Sequence, residues 1–211
     1  MVTAFPEDPE APCGGVEAVS VNLTRALASF DDVKLDVVTT VPAASGTRSE
    51  WNGVTIHRLP RRGKKILTEA IGAGRRQMHE FLHELRPDVV HAHDVYGLMV
   101  NGLAIPRVFT IHGFIYGDTI VSGERWARVR SKIWKRIETS GWADHQHIIS
   151  ISPYVRERLA GIATGTIHDI DNPIAESFFD IRPIDARRPI VFSAALISPR
   201  KNTLMLVEAF G

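Results

Sequence analysis

The sequence predicts an α/β protein built on a Rossmann-like, mainly parallel sheet with helices on both faces. Three observations predict it. Short β-rich runs alternate with longer amphipathic ones along most of the 211 residues, the pattern of repeated βαβ units. The β-rich runs are mostly apolar or β-branched throughout rather than alternating, as strands buried on both faces are. The polar residues that interrupt the pattern gather at the ends of those runs, where ligands bind in such sheets.

Predicted strands occupy residues 1–5, 35–40, 54–59, 88–93, 107–112, 147–151 and 166–170. Helices fall between them. Over 16–30, Val19, Leu23, Ala26, Leu27 and Phe30 recur at spacings of three and four and mark the expected buried stripe. Over 64–85, Leu67, Ile71, Met78, Leu82 and Leu85 do the same, and Pro87 stops that helix before the next strand. A third helix is expected over 124–142. A fourth, over 153–160, has Ser152 as N-cap and Pro153 in its first turn. From 171 to 188 no period is sustained, and Pro173 and Pro183 stand among scattered charges. A new apolar strand is then expected over 189–197 and a helix over 202–210, with Leu206, Val207 and Phe210 on one stripe. A lone βα unit cannot bury both faces of its strand. Either this unit docks on the first sheet or it opens a second domain; the expectation is the latter, with an N-terminal domain over 1–170, a linker over 171–188, and, over 189–211, the first βα unit of a truncated second domain.

Composition excludes several classes. Lys plus Arg is 25 and Asp plus Glu is 24, so the formal charge is +1. A globally basic nucleic-acid binder is not indicated. The single cysteine, Cys13, excludes an intramolecular disulfide framework and a Cys-rich zinc site. The longest uncharged run, Val95 to Pro106, has 12 residues and includes Asn101 and two glycines, too short for a membrane-spanning helix. No basic, then apolar, leader is visible, and a reducing cytoplasmic setting is expected.

Four strand ends carry chemistry. Gly14-Gly15-Val16-Glu17 joins the first strand to the first helix. Glycines there let a backbone approach a ligand, and a helix N-terminus favours an anion. A tight turn into a helix is the plainer reading. The motif is not the dinucleotide fingerprint, since Val16 and Val19 stand where it needs glycine. His91-Ala92-His93-Asp94 ends a strand, with both histidines on one side of it. No third ligand has diagnostic spacing, so a polar cleft lining is expected and no metal site. Thr110-Ile111-His112-Gly113 ends the next strand, where His112 either presents its ring to a ligand or bonds a loop carbonyl. Ser198-Pro199-Arg200-Lys201-Asn202 opens the last helix. Two cations at a helix N-terminus oppose the helix dipole, so either an anion such as phosphate balances them or the turn is solvated.

Two stretches are basic. The first holds Arg58, Arg61, Arg62, Lys64, Lys65, Arg75 and Arg76. The second runs from Arg125 to Arg136, with Trp126, Val129, Ile133 and Ile137 on one helical face. Such a face can lie on an anionic membrane, giving peripheral contact, or it can pack on the domain with its cations solvated.

Together these motifs resemble the retaining glycosyltransferases of family 4, which have the GT-B architecture of two facing Rossmann-like domains. The resemblance rests on Gly14-Gly15-Val16-Glu17, on Pro87-Asp88-Val89-Val90-His91-Ala92-His93-Asp94, on Thr110-Ile111-His112-Gly113, and on Ile149-Ser150-Ile151-Ser152 before a helix. It also rests on Asp171-Asn172-Pro173-Ile174 and on Ser198-Pro199-Arg200-Lys201-Asn202. It implies sugar transfer from a nucleotide-sugar donor to an acceptor with retention at the anomeric carbon, the N-terminal domain holding mainly the acceptor. Saccharide, lipid and small-molecule acceptors all fit the resemblance. The donor is a substrate, and no cofactor and no metal are implied. By position, Gly14 and Gly15 would lie near the donor pyrophosphate and acceptor, and His112 by the donor sugar. Lys201 would neutralise the leaving diphosphate. The family's Gly-Arg-Leu before this last motif reads Ala195-Leu196-Ile197 here, so its phosphate-binding Arg is missing at Leu196 and Arg200 is the nearest substitute. The family's Glu-x7-Glu donor motif does not occur up to Gly211, so this chain alone is expected to be inactive. Two other readings share the architecture: a sugar-nucleotide epimerase and a non-catalytic binding module.

Overall fold

The computed structural model describes residues 1–62, 66–122, 125–182, 190–195 and 197–210. The expected helix starts at Lys64 and at residue 124, the cations Lys64 and Lys65, the end of the linker over 183–188, Pro189 and Leu196 lie outside the described residues. The chain divides into two compact units. The first comprises residues 1–113 and 137–174, the second 114–136 and 175–211.

The first unit is built on a mainly parallel sheet. Its strands are β1 (Asp36–Val41), β2 (Thr47–Trp51), β3 (Val54–Pro60), β4 (Val90–His93), β5 (Arg107–Ile111), β6 (His147–Ser150) and β7 (Thr166–Asp169). β1 and β3 pair in parallel, and β2, which the sequence reading missed, adds antiparallel to β3. β4, β5, β6 and β7 pair in that order, all parallel. The opening segment joins the two ladders. Val2 bridges Val38 on one side and Ala92 on the other. Val2 N–H donates to His91 O (2.7 Å), and His93 N–H donates to Val2 O (3.1 Å). The expected strand over 1–5 thus reduces to one bridging residue, because the chain beyond Thr3 turns away from both neighbours into a loop. Strand order reverses at this segment: β1 lies to one side, β4 to the other. That is a topological switch point, and the crevice at the carboxyl ends beside it is where open α/β sheets bind ligands.

The pleat sorts the core. Val38 packs with Val2, Met78, Leu82, Ala92, Tyr96 and Met99 in one cluster. Its neighbour Val37 packs with Phe5, Val21, Val54 and Ile56 in another. Successive side chains point to opposite faces, so both faces are buried and the strands read as continuous apolar runs. Full burial of each such side chain stabilises by about 1.5–3 kcal/mol.

The helices differ from expectation in their buried faces. α1 spans Gly15–Leu27, and its buried residues are Ser20, Val21 and Thr24. The predicted stripe is only half-buried at Val19, Leu23 and Leu27, and Phe30 is exposed. Small polar residues let the helix lie close to the opening segment, where Ser20 Oγ and Thr3 Oγ1 share a hydrogen bond (2.6 Å). The helix expected to end at Leu85 is two: α2 (Ile66–Ile71) and α3 (Ala73–Leu85). Gly72 separates them with φ −115° and ψ −126°, far from helical values. A short helix, α4 (Val95–Met99), follows β4 and was not anticipated. α7 (Pro153–Leu159) starts as read: Ser152 Oγ accepts the Val155 N–H at 3.3 Å, with Pro153 behind it.

The second unit contains α5 (Ile115–Val121), the first part of α6 (Ala127–Ala143), a 3₁₀ turn over Glu176–Phe178, another over Pro199–Lys201, and α8 (Thr203–Phe210). The strand expected over 189–197 does not form among its described residues, and Ile190, Val191 and Phe192 are exposed. It has no neighbouring strand among the described residues, and an extended apolar segment without one has nothing to satisfy its backbone or cover its faces. The buried residues of α6 are also not those expected. Ser131, Trp134, Glu138 and Trp142 are buried, while Trp126, which precedes the helix, Val129 and Ile133 are exposed by 66%, 51% and 47%.

Candidate functional site

Several segments of the first unit converge at the carboxyl end of its sheet, beside the switch point. The first is the loop 6–14, which leads from the opening segment into α1. Arg58 of β3 holds its start, with Nη2 donating to Pro6 O at 3.0 Å, while Nη1 donates to Ser49 Oγ at 2.7 Å. Part of the first basic stretch is therefore structural; Arg75 likewise donates to Asn101 O. At the loop's end the Glu17 carboxylate reaches back and accepts the Cys13 N–H at 2.8 Å. Gly14 is the N-cap of α1 and has no side-chain cap. Neither Gly14 nor Gly15 is required by its neighbours: a Cβ at either would meet nothing within 4 Å. Gly14 sits in extended backbone at φ −146°. Open space lies in front of both glycines, at the exposed start of a 13-residue helix whose first N–H groups point outward.

The next two contributors are the ends of β4 and β5. His91 and His93 point to the same side of β4, as their spacing requires, with ring centroids 4.5 Å apart. His91 Nε2 lies 2.7 Å from Thr110 Oγ1. His93 is 1% exposed, and its Nδ1 lies 2.9 Å from Nε2 of His112. Those two rings are nearly parallel, at 15° and 5.2 Å between centroids. Asp94 follows with φ 46° and ψ −123°, a region that L-residues rarely adopt and that clusters at functional sites. Its N–H donates to Thr110 O (3.0 Å), and its Oδ1 accepts the His112 N–H (2.8 Å). The last contributor is Asn172, just beyond β7, whose side-chain amide hydrogen-bonds the His112 ring.

Burial holds these imidazoles neutral. It pushes His91 down to about 4 and His93 to about 2, with neighbouring positive charge adding to the effect. It pushes His112 to about 4, against the opposing hydrogen bond from Asn172. A neutral imidazole offers one donor and one acceptor, and Asp94 adds a carboxylate. Neutral donors and acceptors at the carboxyl end of a parallel sheet suit a polyhydroxylated ligand. Among the described residues, no group of three or more His, Cys, Asp or Glu is arranged to hold a metal ion.

Of the site residues read from sequence, Gly14, Gly15 and His112 all lie at the carboxyl end of this sheet. His112 bonds side chains rather than the loop carbonyl that was the alternative. Arg200 and Lys201 belong to the second unit. There they form an exposed 3₁₀ turn rather than the first turn of α8, and Arg200 Nη1 lies 3.6 Å from Asp118 Oδ1. Sequence reasoning quoted His93, Asp94 and Asn172 within motifs but assigned them no role toward His112. No spacing rule links residues 93, 94 and 172 to 112; only the pairing of β4, β5, β6 and β7 does.

No helix of the described residues is long and apolar enough to cross a membrane. No curated protein matches the chain. Two solved structures are similar: trehalose-6-phosphate from E. coli bound with UDP-2-fluoro glucose (11% identity, TM-score 0.45) and the α,α-trehalose 6-phosphate synthase from Burkholderia multivorans (12%, 0.41). Each match covers 74% of this chain, which spans 40% of the length of either structure. The family model described as Glycosyltransferase Family 4 matches residues 13–178.

Proposed function

Because the chain belongs to glycosyltransferase family 4, we propose that it supplies the acceptor-side domain of a retaining, two-domain GT-B transferase that moves a sugar from a nucleotide-sugar to an acceptor. The domain boundaries proposed are 1–170, a linker over 171–188, and the start of the donor-side domain from 189. The observation that carries the reading is the convergence of the open Gly14–Gly15 loop, His112 and Asp94 at the switch point.

The roles follow from charge. As the bond between the anomeric carbon and the diphosphate oxygen breaks, the leaving diphosphate gains negative charge. The outward N–H groups at the start of α1 and the cations Lys201 and Arg200 stabilise that charge more in the transition state than in the ground state. His112, neutral, holds sugar hydroxyls by hydrogen bonds. Leu196, where the family commonly has Arg, leaves the phosphate with one cation fewer. The setting proposed is the reducing cytoplasm, consistent with the lone thiol of Cys13.

The test is a panel of nucleotide-sugars and acceptors given to the protein expressed from its whole reading frame, with the product's anomeric configuration read by NMR. His112→Ala and Lys201→Ala each lower kcat/KM by about 10²–10³-fold, the usual effect of losing one preorganised charge-stabilising group. Turnover unchanged by both variants overturns the role assignment. Conversion of a nucleotide-sugar without acceptor identifies an epimerase instead.

A second property is favoured by α6. The exposed residues Trp126, Val129 and Ile133 recur at spacings of three and four, and Arg125, Arg128 and Lys132 flank them. An exposed apolar stripe rimmed by cations matches the interface of an anionic membrane, so the protein binds such surfaces peripherally. Co-sedimentation with vesicles containing anionic lipid is lost in Arg128→Glu/Lys132→Glu and at high salt. Equal pelleting of that variant removes the proposal.

A further inference from the structure

We propose that His93 and Asn172 are positioning residues: together they fix the His112 ring in one orientation and one tautomer, His93 through Nε2 from the buried side and Asn172 through its amide. This rests on the proposed role of His112 and goes beyond it, since neither residue need touch a substrate.

The argument is geometric. One strand end grips His112 twice. Asp94 takes its backbone, Oδ1 accepting the N–H at 2.8 Å, and the preceding residue, His93, takes its ring at 2.9 Å. The two grips fall on successive residues because Asp94 turns sharply at φ 46°. His93 is itself immobilised. It is 1% exposed, its N–H donates to Val2 O, and its ring lies against His91, whose Nε2 is at Thr110 Oγ1. An N···N hydrogen bond between two neutral imidazoles needs one nitrogen to donate and the other to accept, so the tautomers of His93 and His112 are coupled; His93 Nε2 is buried without a partner, which leaves the Asn172 amide to select between the two coupled states. The other side chain on the ring is Asn172. With Nε2 committed to His93, Nδ1 is the nitrogen left for the Asn172 amide, and a ligand hydroxyl that takes the place of that amide meets a ring without rotational freedom. Pre-setting the ring is what a hydroxyl-binding group needs to act without reorganisation.

The test reads the ring directly and needs no substrate, so it is independent of whether transfer is ever detected. The 211-residue chain is labelled with ¹⁵N-histidine, and its ring nitrogens are observed by long-range proton–nitrogen correlation, with His112 assigned from its loss in His112→Asn. At pH 7 the unsubstituted chain shows one His112 tautomer, its two nitrogens widely separated in shift. In His93→Phe and in Asn172→Ala the two shifts move toward each other as the tautomers average, and in Asn172→Ala, which removes the bond that favours the charged ring, His112 titrates at lower pH. His93→Gln, whose amide can still meet Nε2, restores the separation. Asn172 is half-buried, so Asn172→Ala carries the test if His93→Phe disturbs folding. A His112 already averaged in the unsubstituted chain, or shifts unchanged in both variants, overturns the proposal. Rates of sugar transfer, high or absent, bear only on the function proposed above.

Discussion

β5 and the segment 190–195 are both short apolar runs preceded by proline in the sequence, yet only one is a strand. β5 lies between β4 and β6, with Val108 and Phe109 in register with neighbours on both sides. Its residue Phe109 is 2% exposed, whereas Phe192 is 85% exposed. The difference teaches that apolar, β-branched composition qualifies a segment for a sheet but does not make it a strand. Neighbours that satisfy its backbone and cover both faces do.

Acid breaks the comparison most strongly, because the buried histidines belong to the first unit. Burial lowers His91, His112 and His145 to about 4 and His93 to about 2. Below about pH 6.5 the unfolded chain takes up protons that the folded chain refuses, so stability falls as pH falls toward 4. Each histidine contributes a slope of up to about 1.4 kcal/mol per pH unit in that window. Urea midpoints between pH 7 and 5 should drop steeply, and His145→Gln should flatten the slope. A pH-independent midpoint would show that these rings are not buried as described.

The next effect is the direct contrast between the two phenylalanines. Phe109→Ala opens a cavity in the sheet and costs about 3–5 kcal/mol. Phe192→Ala at an exposed position changes stability by no more than about 0.5 kcal/mol. Equal shifts of the urea midpoint would erase the distinction between the two runs. A smaller loss is expected on the helix side of Phe109. A Cβ on Gly97 of α4 would overlap that ring, so Gly97→Ala must push ring or helix aside. Overpacking of this kind costs about 1–3 kcal/mol.

The sheet of the first unit was legible in sequence because burial on both faces writes the same apolar signal at every position. Six of its seven strands fall within about two residues of expectation, the usual uncertainty of element ends. β2 escaped because Thr47–Trp51 is polar and exposed, an edge strand recognisable only by its antiparallel pairing with β3. Helix faces were misread where small polar residues pack, as at Ser20 and Thr24, or where large apolar ones do not, as at Trp126 and Ile133. Periodicity finds apolar stripes, and these helices bury other faces. At the site, the motifs marked Gly14, Gly15 and His112, but the grip of His93, Asp94 and Asn172 on His112 crosses strands and leaves no local signature.

The smallest effect tests how a strand fares where its neighbour ends. Beyond Thr3 the opening segment leaves β1, and the Thr40 N–H is met instead by the Tyr96 hydroxyl of α4 at 3.1 Å. That hydroxyl also lies 3.2 Å from Thr39 Oγ1 and from Thr40 Oγ1. One side chain thus substitutes for a missing strand at the edge of the candidate crevice, a device with no counterpart among the described residues of 190–195. Tyr96→Phe keeps the buried ring and removes only this oxygen, leaving a half-buried N–H without its partner. The expected cost is about 1–2 kcal/mol, with faster hydrogen exchange confined to Thr40 and its neighbours. Exchange at Thr40 unchanged in Tyr96→Phe would mean that water already satisfies the strand end, and that β1 does not depend on α4 there.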